Sequence, residues 1–158
     1  MRSLYLTMAR FCVTAWVGAA VLFVITGVRE VTTASQSSIT SEVKDALVTI
    51  RFPPYYVMGF LLVATGIVCC GLYLKHPAGR SKRMGVCLVL LGVSLIAMIV
   101  DYVLIYLPLV KMVTPPGGVK PSNFRDYHNA SMYINAFDIG LCLIAGLLLC
   151  LPKRVGKN

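Results

Sequence analysis

Apolar residues in this chain neither alternate nor recur at helical intervals over most of its length; they gather into four nearly continuous runs. These are Phe11–Val28, Tyr55–Leu74, Gly85–Leu107 and Ala130–Leu151, of 18, 20, 23 and 22 residues. An α-helix rises 1.5 Å per residue and a hydrocarbon core needs about 20 residues to cross, so each run is long enough to span a bilayer. Strands that cross a membrane alternate apolar and polar residues, and these runs do not. The pattern predicts an all-α integral membrane protein, a four-helix transmembrane bundle.

The connections carry their own patterns. Between the first two runs, a polar stretch Thr32–Ser38 precedes Ile39, Val43, Leu47 and Ile50, which form one apolar stripe at helical spacing, with Glu42, Lys44 and Asp45 on its flanks. That spacing predicts a short interfacial helix on the membrane surface, ended by Pro53-Pro54, which are tolerated at the start of the following span. Thr114-Pro115-Pro116-Gly117-Gly118 in the last connection is a turn cluster without periodicity.

Composition narrows the class further. Hydrophobic residues make up 58% of the 158 positions and charged residues 13%, where soluble domains run near 45–50% and about 25%. The longest stretch outside the runs, residues 29–54, is too short for a second core, so residues 1–158 read as a single membrane domain. The apolar stretch of the first run exceeds the 7–15 residues typical of a secretory signal, and only Thr32-Thr33-Ala34 resembles a cleavage site; the run is read as a retained helix.

The net charge of +9 is distributed unevenly. Arg2, Arg10, Lys75, Arg80, Lys82, Arg83, Lys153, Arg154 and Lys157 crowd the two termini and the connection between the second and third runs, where no acidic residue stands. The other two connections hold six basic residues in 48 positions. Short basic loops stay on the cytoplasmic side, so both termini are expected there, in a plasma or inner membrane. The basic clusters all abut membrane ends, where they meet anionic lipid headgroups; nucleic acid is not an expected partner.

Cysteines at 12, 69, 70, 87, 142 and 150 lack zinc-ribbon spacing, and five of them fall in the cytoplasmic half of the predicted bilayer. They read as small packing residues, and no cofactor is expected. Small residues also recur within the spans at Ala15 and Ala19, at Gly59, Gly66 and Cys70, and at Gly85 and Gly92, as close helix packing in lipid requires.

Chemistry concentrates on the fourth run. His128, Ser131, Asn135, Asp138 and Cys142 are spaced by 3, 4, 3 and 4 residues, which confines them to an arc of about 80° on a helix. Tyr133, Phe137, Ile144 and Leu148 take the other side, toward lipid. A charged side chain in a span must face protein or water. Asp101, in the third run, lies at a matching depth from the outer boundary, with Ser94 and Ala97 on its face. Two carboxylates in one low-dielectric layer are expected to share a proton or a cation, with His128 at the mouth of the site; His128, Asp138 and Cys142 are the candidate set for a metal.

At these residues the chain resembles a family. Phe124-Arg125-Asp126-Tyr127-His128, followed by Ser131 and Asn135, is similar to the signature that opens the last helix of transmembrane protein 205-like proteins, the domain of unknown function numbered 4149. Trp16-Val17-Gly18 with Phe23, and Arg51-Phe52-Pro53-Pro54-Tyr55-Tyr56, resemble that family's first helix and the start of its second. An extra residue between Arg125 and Tyr127 and a second proline depart from the pattern. The resemblance implies a four-helix membrane protein with His128, Ser131 and Asn135 in a shared site, and implies no reaction.

Two functions follow as expectations. One is a small transporter-like or ion-linked protein using Asp101 and Asp138. The alternative is a membrane scaffold or assembly factor, joined to a second copy or another membrane protein, whose polar residues serve only as interhelical hydrogen bonds. Ser131 and His128 lack a third group or an oxyanion donor set, so an enzyme is not expected.

Overall fold

The computed structural model describes residues 2–34, 40–76 and 81–151. Arg80, Lys153, Arg154 and Lys157 of the basic clusters, and residues 35–38 of the polar stretch, lie outside the described residues. The elements are α1 (Arg2–Ala34), α2 (Ser41–Lys75), α3 (Lys82–Val100), a π-helical segment (Asp101–Tyr106), α4 (Leu107–Met112) and α5 (Phe124–Cys150). The π segment joins α3 and α4 into one continuous rod, so four helical units are long and apolar enough to cross a membrane.

The four rods pack in a ring. α1 contacts α2 and α5, and α3 contacts the same two, which sets α1 opposite α3. One end of the bundle, the termini end, holds the start of α1, the finish of α2, the start of α3 and the finish of α5. There Tyr5 stacks near His76, and Arg10 Nε donates to the Leu149 carbonyl at 2.9 Å, satisfying an acceptor that helix geometry leaves open. The far end carries the connections between α1 and α2 and between α4 and α5. The core between the rods contains Val13, Trp16, Val63, Leu91 and Leu149, while Phe11, Leu61, Val89, Ile96 and Leu147 point outward, as lipid-facing positions do.

The predicted surface helix is not a separate element. α2 runs unbroken from Ser41 through Pro53 and Pro54 to Lys75, about 52 Å at helical rise. Its first turns are held by polar contacts to two neighbouring parts of the protein. Asp45 is buried, accepts from the Gly117 backbone N–H at 3.1 Å and pairs with Lys120 at 2.7 Å, which fastens the α4–α5 connection onto α2. Arg51 pairs with Glu30 and donates to Thr26 Oγ1 at 3.2 Å, tying the same turns to α1. Val43 and Ile50, by contrast, are exposed. Two prolines remove two N–H donors from α2, but these bonds on either side of α2 hold the helix in line.

A third proline accounts for the π segment. Pro108 has no N–H and its ring crowds the carbonyl four residues earlier; widening the turn before it relieves that contact. The Leu107 N–H accordingly reaches back five residues, to Tyr102 O.

The glycines divide into two groups. A Cβ at Gly59 would meet Met98 Cε at 2.4 Å and Trp16 Cη2 at 2.6 Å, and one at Gly66 would meet Val13 Cγ2 at 3.2 Å. Among the described residues, Gly85 and Gly92 have nothing within 4 Å of such an atom, so the close-packing role expected of them is not seen there.

Candidate functional site

The α-helical period of α5 does what the sequence pattern predicted for four of its five polar residues. Ser131, Asp138 and Cys142 are buried and Asn135 is half-buried, all turned toward the neighbouring helices. On the opposite side Tyr133, Phe137 and Ile144 are exposed; Leu148 is half-buried and packs against the core.

Asp138 is 1% exposed and is held from two helices. Ser94 Oγ on α3 donates to Oδ1, and Trp16 Nε1 on α1 donates to Oδ2 at 3.3 Å. Cys142, one turn along α5, lies with its sulfur 3.1 Å from Ser94 Oγ and 4.0 Å from Asp138 Oδ1.

Asp101 opens the π segment and is equally buried. Its Oδ2 accepts from the Tyr56 hydroxyl on α2 and from Asn135 Nδ2 on α5 at 2.9 Å. Its Oδ1 is buried with no hydrogen-bond partner. Asn135 ties Asp101 to α5. Its Nδ2 also lies 2.9 Å from the Ser131 carbonyl and 3.3 Å from Ser131 Oγ, its Oδ1 accepts from the Tyr55 hydroxyl at 2.9 Å, and Asp138 follows it by three residues.

Aromatic rings pack beside this layer. Tyr55 stacks on Phe23 at 4.2 Å and lies 4.9 Å from Trp16, while Tyr56 contacts Tyr106 at 4.9 Å and Tyr102 at 5.1 Å. Neither ion pair among the described residues reaches Asp101 or Asp138: Glu30 takes Arg51 and Asp45 takes Lys120.

His128 is placed otherwise than the metal reading requires. It is exposed at the start of α5, its ring parallel to that of Phe124 at 6.2 Å. Ten residues, about 15 Å of helix, separate it from Asp138. The set His128, Asp138 and Cys142 is therefore not assembled, and among the described residues no three His, Cys, Asp or Glu side chains come together as a metal site.

Sequence reasoning missed the donors that come from α1 and α2. Trp16, Tyr55 and Tyr56 stand in apolar runs, where an aromatic reads as packing; their hydroxyl and indole groups were the available signal, because a buried Tyr or Trp needs a hydrogen-bond partner. Cys12, Cys69, Cys70 and Cys87 are buried among the helices, with Cys87 Sγ 3.8 Å from the Ala145 carbonyl.

No protein-family model, no curated protein and no solved structure matches this chain.

Proposed function

We propose that this chain is a multi-pass protein of a plasma or inner membrane, with both termini cytoplasmic, and that Asp101 and Asp138 form the floor of a site for a proton or a small cation. Access is from the outer side, past His128 and Ser131, and the role is ion-linked or transporter-like. The reading rests above all on Asp101 Oδ1. A carboxylate oxygen shut away from water without a donor costs on the order of 1–3 kcal/mol or more. A proton or a cation on that oxygen removes the cost. Tyr56 and Asn135 donate to the other oxygen of the same carboxylate, and Tyr55 and Ser131 bond to Asn135, which gathers hydroxyl and carboxylate oxygens, the kind that suits hard cations, in one layer.

The likeness to transmembrane protein 205-like proteins lends support, because residues from all three similar stretches converge here: Trp16 from the first, Tyr55 and Tyr56 from the second, Ser131 and Asn135 from the third.

The test is thermal unfolding of the detergent-purified protein against pH and a panel of mono- and divalent cations, for wild type, Asp101→Asn, Asp138→Asn and His128→Ala. A ligand bound only by the folded state stabilises by about 2.7 kcal/mol at a hundredfold excess over Kd. The expected result is a saturable rise in Tm for one ion, weakened at lower pH where protons compete for the same oxygens, and abolished by Asp101→Asn. If no ion shifts Tm and pH has no effect that either aspartate variant removes, the polar layer is a set of interhelical hydrogen bonds and the scaffold reading replaces this one.

A further inference from the structure

Residues 113–123 join α4 to α5 at the far end of the ring. α4 continues the α3 rod, and α5 packs beside that rod, so the connection needs only to pass between neighbours. Instead it reaches α2, which stands diagonally across the ring from α5. The Gly117 N–H donates to Asp45 at 3.1 Å, and a Cβ at Gly117 would meet Glu42 Cβ at 3.3 Å. Lys120 Nζ lies 2.7 Å from Asp45 Oδ1 on α2 and 4.9 Å from the centre of the Phe124 ring at the start of α5. One ammonium group thus bridges two rods that face each other, which sets it over the axis of the bundle. The acidic layer is on that axis as well, because its side chains come from all four rods: Trp16, Tyr56, Asp101 and Asn135. We propose that residues 113–123 form a strap that closes the far end of the ring over the acidic layer, and that the Asp45–Lys120–Phe124 latch must release to open the route to it.

The strap and the layer are in register. Asp45, Met112 and Phe124 each stand eleven residues from the layer residue of their own rod, Tyr56, Asp101 and Asn135, so the strap lies about 16 Å beyond the layer. The strap is also built to open. Every residue from Thr114 to Asn123 is exposed, while Asp45 beneath them is 2% exposed. Past Val113 the strap therefore buries no apolar side chain of its own, and the contacts of Gly117 and Lys120 fasten it to α2. A segment with so few buried apolar contacts opens locally while the helices stay folded.

The experiment measures how fast a thiol between strap and layer reacts in the detergent-purified full chain. Ser131 lies on α5 between Phe124 and Asn135, and Ser131→Cys, with the six native cysteines replaced, is the reporter. The probes are a cationic and an anionic methanethiosulfonate of similar size, so a change in local charge alone would move their rates in opposite directions. When opening and closing are fast, the rate follows the population of the open form. Lys120→Met and Asp45→Asn are each expected to raise both rates about tenfold, as the loss of one charge-assisted contact implies. Lys120→Arg keeps the charge and Lys111→Met removes a lysine outside the latch; both are expected to react as the parent does. Cys12, buried toward the termini end and retained alone in place of the reporter, should react at one rate throughout. The proposal is overturned if a folded latch variant leaves the rates unchanged, if the two probes move oppositely, or if Lys120→Arg or Lys111→Met does as much as Lys120→Met. It is overturned too if Cys12 speeds up equally, since the whole bundle has then loosened. Asp45→Asn keeps an acceptor for the Gly117 N–H, so it decides alone if Lys120→Met does not fold. That the opening admits an ion rests on the reading of Asp101 and Asp138 as its site, whereas the labelling rate reads access alone. A strap that opens over a layer with no saturable ion response leaves the closure standing and removes only the ion site.

Discussion

Tyr56 and Tyr102 stand on facing helices, 5.1 Å apart, but only the first spends its hydroxyl on a carboxylate. Removing the Tyr56 hydroxyl leaves Asp101 with Asn135 as its remaining donor and enlarges the unsatisfied buried surface that Oδ1 already presents. Tyr56→Phe is therefore expected to destabilise the protein by about 1–3 kcal/mol, and Tyr102→Phe, whose hydroxyl has no hydrogen-bond partner among the described residues, by less than about 0.5 kcal/mol. Reversible denaturation in mixed micelles checks both; equal effects would mean that the Tyr56–Asp101 bond contributes nothing in the folded state. The acceptors of this layer were legible in the sequence because one helix carries them: the spacing of Ser131, Asn135, Asp138 and Cys142 is a property of α5 alone. Ser94, on the face of Asp101, was legible in the same way, but the donors from the first two helices were not: Trp16, Tyr55 and Tyr56 reach the layer from α1 and α2, and helical periodicity does not say which helices are neighbours.

At the scale of elements, the distance between α1, α2 and α3 is set where Gly59 faces Trp16 and Met98. Alanine there would press on the indole that donates to Asp138 and on the tip of a flexible methionine, and inserting a methyl group into a packed interior costs about 1–3 kcal/mol. Gly92→Ala, in open space on α3, is expected to be neutral or to stabilise by a fraction of the roughly 1 kcal/mol helix preference of Ala over Gly. Trp16 is the sole tryptophan, so its emission reports on the layer directly. Gly59→Ala should shift that emission and lower Tm, while Gly92→Ala should leave the emission where it is. If the emission is unmoved in Gly59→Ala, the contact of Gly59 with the indole is not as close as described. Which glycines matter was not readable from composition, since Gly59 and Gly92 both sit at packing-like intervals and only the ring order of the helices separates them. Prolines were read unevenly for the same reason. Pro53-Pro54 look like a stop until Asp45 and Arg51 are seen to hold the helix beyond them, and Pro108 passes for part of a span until the π segment before it sets Asp101 at its start.

For the molecule as a whole, the charge pattern and the architecture meet in one question, the side of the membrane from which the acidic layer is reached. Four long apolar runs and the predominance of helix were evident in the sequence because the bilayer leaves backbone groups no partner except their own helix. Orientation depends instead on a bias of charge between loops, to which the packing of the bundle is indifferent: the same ring of helices could sit either way up. The basic residues around Arg10, Lys75, Lys82 and Arg83 predict that the termini end is cytoplasmic. Ser81 and Ser122 are exposed at opposite ends of the bundle, which makes them suitable reporters. In a background where the six native cysteines are replaced, a membrane-impermeant maleimide added to intact cells should label Ser122→Cys and reach Ser81→Cys only after lysis. The reverse pattern would turn His128 and Ser131 toward the cytoplasm. An ion bound by Asp101 and Asp138 would then be drawn from inside the cell. The labelling result therefore fixes the direction of ion access, which the packing of the helices leaves open.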